Sequence, residues 1–157
     1  MSHTHHGNSI ALCINKPTEY NLRDILIDSG IPSELDFPLY WGGPINSTTI
    51  WMLHSSEWAV EHTMPISKHW GVTSNISMFY HLADGDYPKE FRIMFGHCSW
   101  APGQLKAELR GLPPWNPNHS WLTANEPEPE WLFENPVEDL WELTAELSSH
   151  QAVASWL

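Results

Sequence analysis

With 157 residues, 41% of them hydrophobic, the chain has the length for one domain with a substantial core, expected to span residues 1–157. Nineteen acidic side chains against seven basic ones leave a net charge of −12, which weighs against direct binding to a nucleic-acid backbone or an anionic membrane surface. No apolar run approaches the roughly 20 residues of a membrane-spanning helix, and the polar start Met1-Ser2-His3-Thr4-His5-His6 lacks the apolar segment of a signal peptide, so a cytoplasmic location is expected.

The first apolar run, Ile10-Ala11-Leu12-Cys13-Ile14, reads as a buried strand stopped by Asn15-Lys16-Pro17. Asn21 is placed to cap a short helix with Leu22, Ile25 and Leu26 on one face and Gly30 as its stop. Phe37 to Trp41 and Ile50 to His54 read as strands separated by a sharp change of direction at Gly42-Gly43-Pro44. A further extended segment is expected over Trp58 to Met64, and a short one at Gly71-Val72-Thr73. Asn75 is expected to cap a helix through Met78, Phe79 and Leu82, with a loop over residues 84–88. Phe91 to Phe95 is the clearest strand, and it is expected to end in a tight glycine turn at Gly96 before a helix over residues 102–110. Residues 112–130, rich in proline, read as loop. Asn135-Pro136-Val137-Glu138 has the cap, proline and acid of a helix start, with Val137, Leu140, Trp141, Thr144 and Leu147 on the apolar side and Glu138, Asp139, Glu142 and Glu146 opposite.

Three segments together resemble one family. They are Ile10 to Pro17, ending in Asn15-Lys16-Pro17; Leu39-Tyr40-Trp41-Gly42-Gly43-Pro44 with Trp51-Met52-Leu53-His54-Ser55; and Gly96-His97-Cys98-Ser99-Trp100 with Gly103-Gln104-Leu105 and Trp121-Leu122. The chain is similar over nearly its whole length to the AlgH/YqgE family of small bacterial cytosolic proteins. The resemblance implies an α/β (α+β) fold. It would be a single domain with a twisted mixed or antiparallel sheet, barrel-like in places, and three to four helices. One branch of that family is described as a regulator of transcription, so a regulatory or binding role is implied. The chain departs from the family's pattern at its start, which matches only the end of an opening strand-rich segment, and at Asn8, Ala11 and Thr49-Ile50. A trimmed sheet leaves an edge open to a second copy, which favours a homodimer, and it suits a viral or mobile-element copy of a host protein.

Chemistry is sparse. His3, His5 and His6 cluster at the start and the other histidines are scattered, without zinc-protease spacing or a Cys-x-x-Cys pair, so neither a metal site nor a cofactor is expected. Cys13 and Cys98 read as buried structural thiols. His54-Ser55 with Glu57 holds hydrolase ingredients but no nucleophile elbow. Asn15, Lys16, Pro17, Gly42, Gly43, Pro44, His54, Gly96, Trp100, Gly103 and Gln104 are the candidates for a shared motif surface, where the start of the 102–110 helix would favour a small anion. Trp115, Trp121, Trp131 and Trp141 with Glu138, Asp139 and Glu142 are the candidates for partner binding.

The leading expectation is therefore a non-enzymatic regulatory or interaction module that affects transcription through a protein partner, such as a host regulatory protein. The alternatives are a small-anion or nucleotide binder or enzyme using the Gly42-Gly43 and Gly96–Gly103 loops, and an acidic mimic of nucleic acid.

Overall fold

Local signals bracket the first helix as the sequence suggests. In the computed structural model, which describes residues 2–3, 7–28, 30–31, 35–114 and 121–154, helix α1 (Leu22–Asp28) opens with a reciprocal cap. The Asp24 N–H donates to Asn21 Oδ1 at 3.2 Å, and the Asn21 N–H donates to Asp24 Oδ2 at 3.4 Å. It closes in a Schellman arrangement: Ile31 N–H to Leu26 C=O at 2.8 Å and Gly30 N–H to Ile27 C=O at 3.0 Å, with Gly30 at φ 72°.

The strands are β1 (Ser2–His3), β2 (Ser9–Ala11), β3 (Pro17–Asn21), β4 (Pro38–Trp41), β5 (Ile45–Ser55), β6 (Met64–Pro65), β7 (Trp70–Thr73) and β8 (Phe91–Trp100). The sheet runs in the order β1-β2-β8-β5-β7-β6, and β4 joins β8 in parallel while pairing antiparallel with β3. The sheet is mixed and open; its path is not closed into a barrel. The long strand β8 is its organiser, in register with β5 from Phe91↔His54 to Phe95↔Ile50 and with β4 from Ile93↔Leu39 to Phe95↔Trp41.

Four expectations need revision. Gly96 does not end its strand. It takes φ 71° inside β8, and pairing resumes at His97↔Ile45 beyond a register shift, so the glycine produces a bulge. Trp58 to Met64 is mostly a turn, closed by the Thr63 N–H to Val60 C=O bond at 3.0 Å and the Val60 N–H to Thr63 Oγ1 bond at 3.0 Å, with His62 at φ 64°. Local hydroxyl bonding outcompetes the sheet there. The proline-rich stretch contains a helix, α4 (Pro129–Glu134), whose first residue is the proline that had argued for loop. Finally, α5 (Leu140–Ala154) begins after a Pro136–Asp139 turn, and its inward side carries Leu140 and Ser148 with half-buried Leu143 and Leu147. Trp141 and Thr144 are exposed rather than packed.

The remaining helices are α2 (Ser77–Ala83), where Asn75 Oδ1 accepts from Ser77 N–H at 2.9 Å, and α3 (Gln104–Leu109). The described residues form two compact units: one from those within 1–2 and 11–98, the other from those within 3–10 and 99–157. In the first, Leu22, Leu26, Leu39, Met52, Leu82 and Ile93 form an apolar cluster between the helical residues of α1 and α2 and one face of β4, β5 and β8. Burying each such side chain is worth about 1.5–3 kcal/mol. In the second unit, Leu105, Leu132 and Leu140 are buried.

Candidate functional site

The motif residues of the first unit meet at a backbone crossing. Gly42 N–H donates to Phe95 C=O at 2.8 Å, and Gly42 C=O accepts from Cys13 N–H at 2.8 Å. Trp41 N–H donates to Lys16 C=O at 2.8 Å, and the Lys16 ammonium lies 4.7 Å from the centre of the Trp41 ring. A Cβ on Gly42 would overlap the Gly96 carbonyl oxygen, one on Gly43 the His97 carbonyl, and one on Gly96 the Gly43 carbonyl oxygen. All three glycines are buried. They are glycine because two stretches of main chain pass here at contact distance. Pro44 beside them is exposed, as are Lys16 and Pro17, while Asn15 is half-buried.

Around this crossing lie buried polar groups. Arg92, 6% exposed, donates from its guanidinium to the Ile14 carbonyl and stacks 4.5 Å from the centre of the Tyr40 ring. Burial draws its pKa below the ordinary arginine value. Trp51 and His97 pack edge to face with ring centres 5.5 Å apart, and Trp51 Nε1 and His97 Nδ1 have no hydrogen-bond partner among the described residues.

His54 sits elsewhere, near the end of β5 opposite Gly71, whose missing side chain leaves room for the imidazole. It is fully buried, its Nδ1 is 2.9 Å from Ser55 C=O, and burial lowers its pKa against the weaker upward pull of that carbonyl and of Glu57. Ser55 Oγ donates to Glu57 Oε1 at 2.8 Å, and Glu57 Oε1 also accepts from Lys89 N–H at 2.7 Å. Partial burial pushes the Glu57 carboxyl up, but these hydrogen bonds outweigh it and hold the pKa below its usual value. The serine hydroxyl is thus committed to a carboxylate and not to an imidazole. Trp58 stands edge-on to His54 at 5.1 Å and donates Nε1–H to Asp86 Oδ1 at 3.0 Å, while Asp86 Oδ2 is 2.7 Å from His81 Nδ1. Those two contacts, His81 first, lower the Asp86 pKa. This is a loop brace, built from one carboxylate holding two rings.

An open groove of about 280 Å³ lies on the first unit, lined by Tyr20, Asp24, Ser47, Ile50 and Phe95 among others. Tyr20 and Phe95 meet edge to face with centres 6.5 Å apart.

The second unit holds the other candidates. Gln104 Oε1 accepts from Ala101 N–H at 2.9 Å, and Gln104 Nε2 and Trp100 Nε1 both donate to Glu108 at 3.1 Å, which ties the strand end to α3. Gly103 is exposed and has open space around its Cα. Trp121 packs against Trp100 with ring centres 6.3 Å apart yet is 46% exposed. Trp131 is half-buried, Trp141 is 67% exposed, and Glu138, Asp139 and Glu142 are exposed. Trp115 lies outside the described residues. Among the described residues no three His, Cys, Asp or Glu side chains gather as a metal site would require, and no helix is long and apolar enough to cross a membrane.

The AlgH-like family model matches residues 1–152. The chain belongs to the AlgH-like family. A UPF0301 protein of Nitrosospira multiformis is 30% identical over 135 residues, covering 83% of this chain and 68% of the relative. A UPF0301 protein of Rhizobium etli is 28% identical over 148 residues, covering 87% and 69%. The solution structure of AlgH from Pseudomonas aeruginosa superposes with a TM-score of 0.73 at 25% identity, covering 92% of this chain and 74% of that one. A Corynebacterium diphtheriae crystal structure shares the fold alone, at a TM-score of 0.53 and 16% identity over 70% of this chain and 59% of that one.

In this AlgH-like chain the motif residues therefore fall into three places. Asn15, Lys16, Pro17, Gly42, Gly43, Pro44 and Gly96 share the crossing, His54 lies near the far end of β5, and Trp100, Gly103 and Gln104 brace α3. Sequence reasoning passed over Arg92, Tyr40, Trp58 and Asp86. The only linear signal for Arg92 was a charge in the middle of an apolar strand, which calls for a partner inside. His81 and Asp86 are five residues apart, but Trp58 reaches the same carboxylate from 28 residues away, which no local pattern could announce.

Proposed function

We propose that this AlgH-like protein is a non-enzymatic interaction module that docks a basic segment of a protein partner on its second unit and acts on transcription through that partner. The observation that carries the reading is Trp141, 67% exposed on α5, with exposed Glu138, Asp139 and Glu142 beside it in sequence. A large exposed ring next to carboxylates suits a partner with an apolar anchor and cationic rim, and the net charge of −12 would steer such a partner in. Trp121 and Leu122, 46% and 57% exposed, add apolar surface in the same unit.

The test is affinity capture with the wild type, Trp141→Ser and the double charge reversal Glu138→Lys/Glu142→Lys, each partner then being measured with purified protein. A partner whose affinity drops at least about tenfold in both variants and weakens with salt supports the reading. Equal affinity for all three proteins counts against it.

A second reading, a small-molecule binder, rests on the 280 Å³ groove beside Tyr20 and Phe95. That volume is near the lower end for a ligand site. Thermal shifts against a metabolite panel, repeated on Phe95→Ala, would separate this from the first reading.

A further inference from the structure

The only two cysteines of the chain lie at opposite ends of the first unit's sequence, yet both reach Gly42. Cys13 N–H donates to Gly42 C=O at 2.8 Å, and Cys98 Sγ approaches that same carbonyl oxygen at 4.0 Å. The Cys98 backbone nitrogen would lie 2.5 Å from a Cβ built on Gly43. Both cysteines are unbridged and half-buried.

We propose that Cys13 and Cys98 form a dithiol modification site that hydrogen peroxide converts into an intrachain disulfide. Cys13 takes the oxygen first. Its thiolate attacks the peroxide, an S–O bond forms as the O–O bond breaks, and the released hydroxide leaves as water after protonation. Cys98 then resolves the sulfenic acid: its sulfur attacks Cys13 Sγ, the S–S bond forms, the S–O bond breaks and a second water leaves. Two thiols are oxidised by two electrons in total, and one peroxide is reduced to two waters. The assignment of roles follows from the surroundings. Burial pushes the Cys98 thiol up, and the neighbouring Cys13 adds to this against the opposing pull of Lys16. A thiol held protonated is the poorer first nucleophile towards peroxide, and in the resolving step its proton leaves with the hydroxide displaced from Cys13 Sγ, giving the second water. The bond would lock the Ala11–Pro17 stretch onto β8 at the glycine crossing.

The site is independent of the docking reading, which concerns the second unit. The test treats the full chain with hydrogen peroxide, alkylates the remaining thiols and measures intact mass and peptides with and without dithiothreitol. The expected product is a monomer about 2 Da lighter with no alkylation, a linked Cys13–Cys98 peptide, and recovery of both thiols on reduction. Its thermal midpoint should rise by about 5 °C over the reduced form. In Cys98→Ser, oxidation should leave a sulfenic acid on Cys13 that a dimedone probe traps; in Cys13→Ser the Cys98 thiol should oxidise at least about tenfold more slowly. Full alkylation of the treated wild type, disulfide-linked dimers in place of the intrachain bond, or sulfinic acid formation without any linked peptide would each overturn the proposal.

Discussion

Trp51 and Trp70 in the first unit are 8% and 5% exposed, whereas Trp121 and Trp141 in the second are 46% and 67% exposed. The same residue type thus serves enclosure in one region and display in the other. In the first unit the family's motif glycines, strand pairs and buried Arg92 all answer to packing. In the second, Trp141 and the carboxylates of Glu138, Asp139 and Glu142 are exposed, while Trp121 packs one side against Trp100. The lesson is that residues of one family motif can be enclosed in one unit and exposed in the other. The glycines of the motif report how two stretches of main chain cross, whereas Trp121, in the same family motif, is 46% exposed in the second unit.

That contrast is broken most forcefully at the crossing. Gly43→Ala should cost about 3–5 kcal/mol in urea denaturation, because its methyl would have to displace the His97 backbone and not a side chain. A cost under about 1 kcal/mol would mean that the two strands can move apart, and the packing account of the motif would fail. Leu82→Ala, at a fully buried site in the apolar cluster, should cost about 2–5 kcal/mol by the same measurement. Asn21→Ala removes one half of the reciprocal cap on α1 and should cost about 1 kcal/mol.

The pH dependence sharpens the comparison further. His54 is held neutral by burial, so its folded pKa lies below the ordinary value of 6.5. The unfolded chain therefore binds more protons as pH falls below 6.5, and stability is lost from there down towards the folded pKa. His54→Gln should flatten the stability profile in that window; an unchanged slope would show that the imidazole does not titrate on unfolding. At the small end, Trp141→Ser should shift stability by less than about 0.5 kcal/mol, since its ring is largely in solvent. A larger loss would assign that tryptophan to packing and remove the basis for a docking role.

Elements with strictly local causes were legible in the linear sequence. The Asn21 cap, the Gly30 stop, the β4 strand and the start of β8 depend on neighbours within a few residues, and they form where the pattern places them. The α5 face and the α4 helix were misjudged for a physical reason. Helical periodicity gives a choice of apolar stripes, and only packing selects which one is buried. Leu140 and Ser148 face inward, the latter bonding Thr123 C=O at 2.7 Å, and Trp141 turns out to solvent.

The sequence by itself determined the net charge of −12 and, through three spaced motifs, the family, whose resemblance implied the mixed sheet with its helices. The tertiary structure alone decided that Gly42, Gly43 and Gly96 occupy one crossing, that Cys13 and Cys98 share one carbonyl, and that Asp86 holds two rings from separate segments. Each of these brings in a residue distant in the chain, as Trp58 lies 28 residues from Asp86, although His81 and Asp86 are only five apart. Such contacts are fixed by which strands pair and in which register, and no short window of sequence records that.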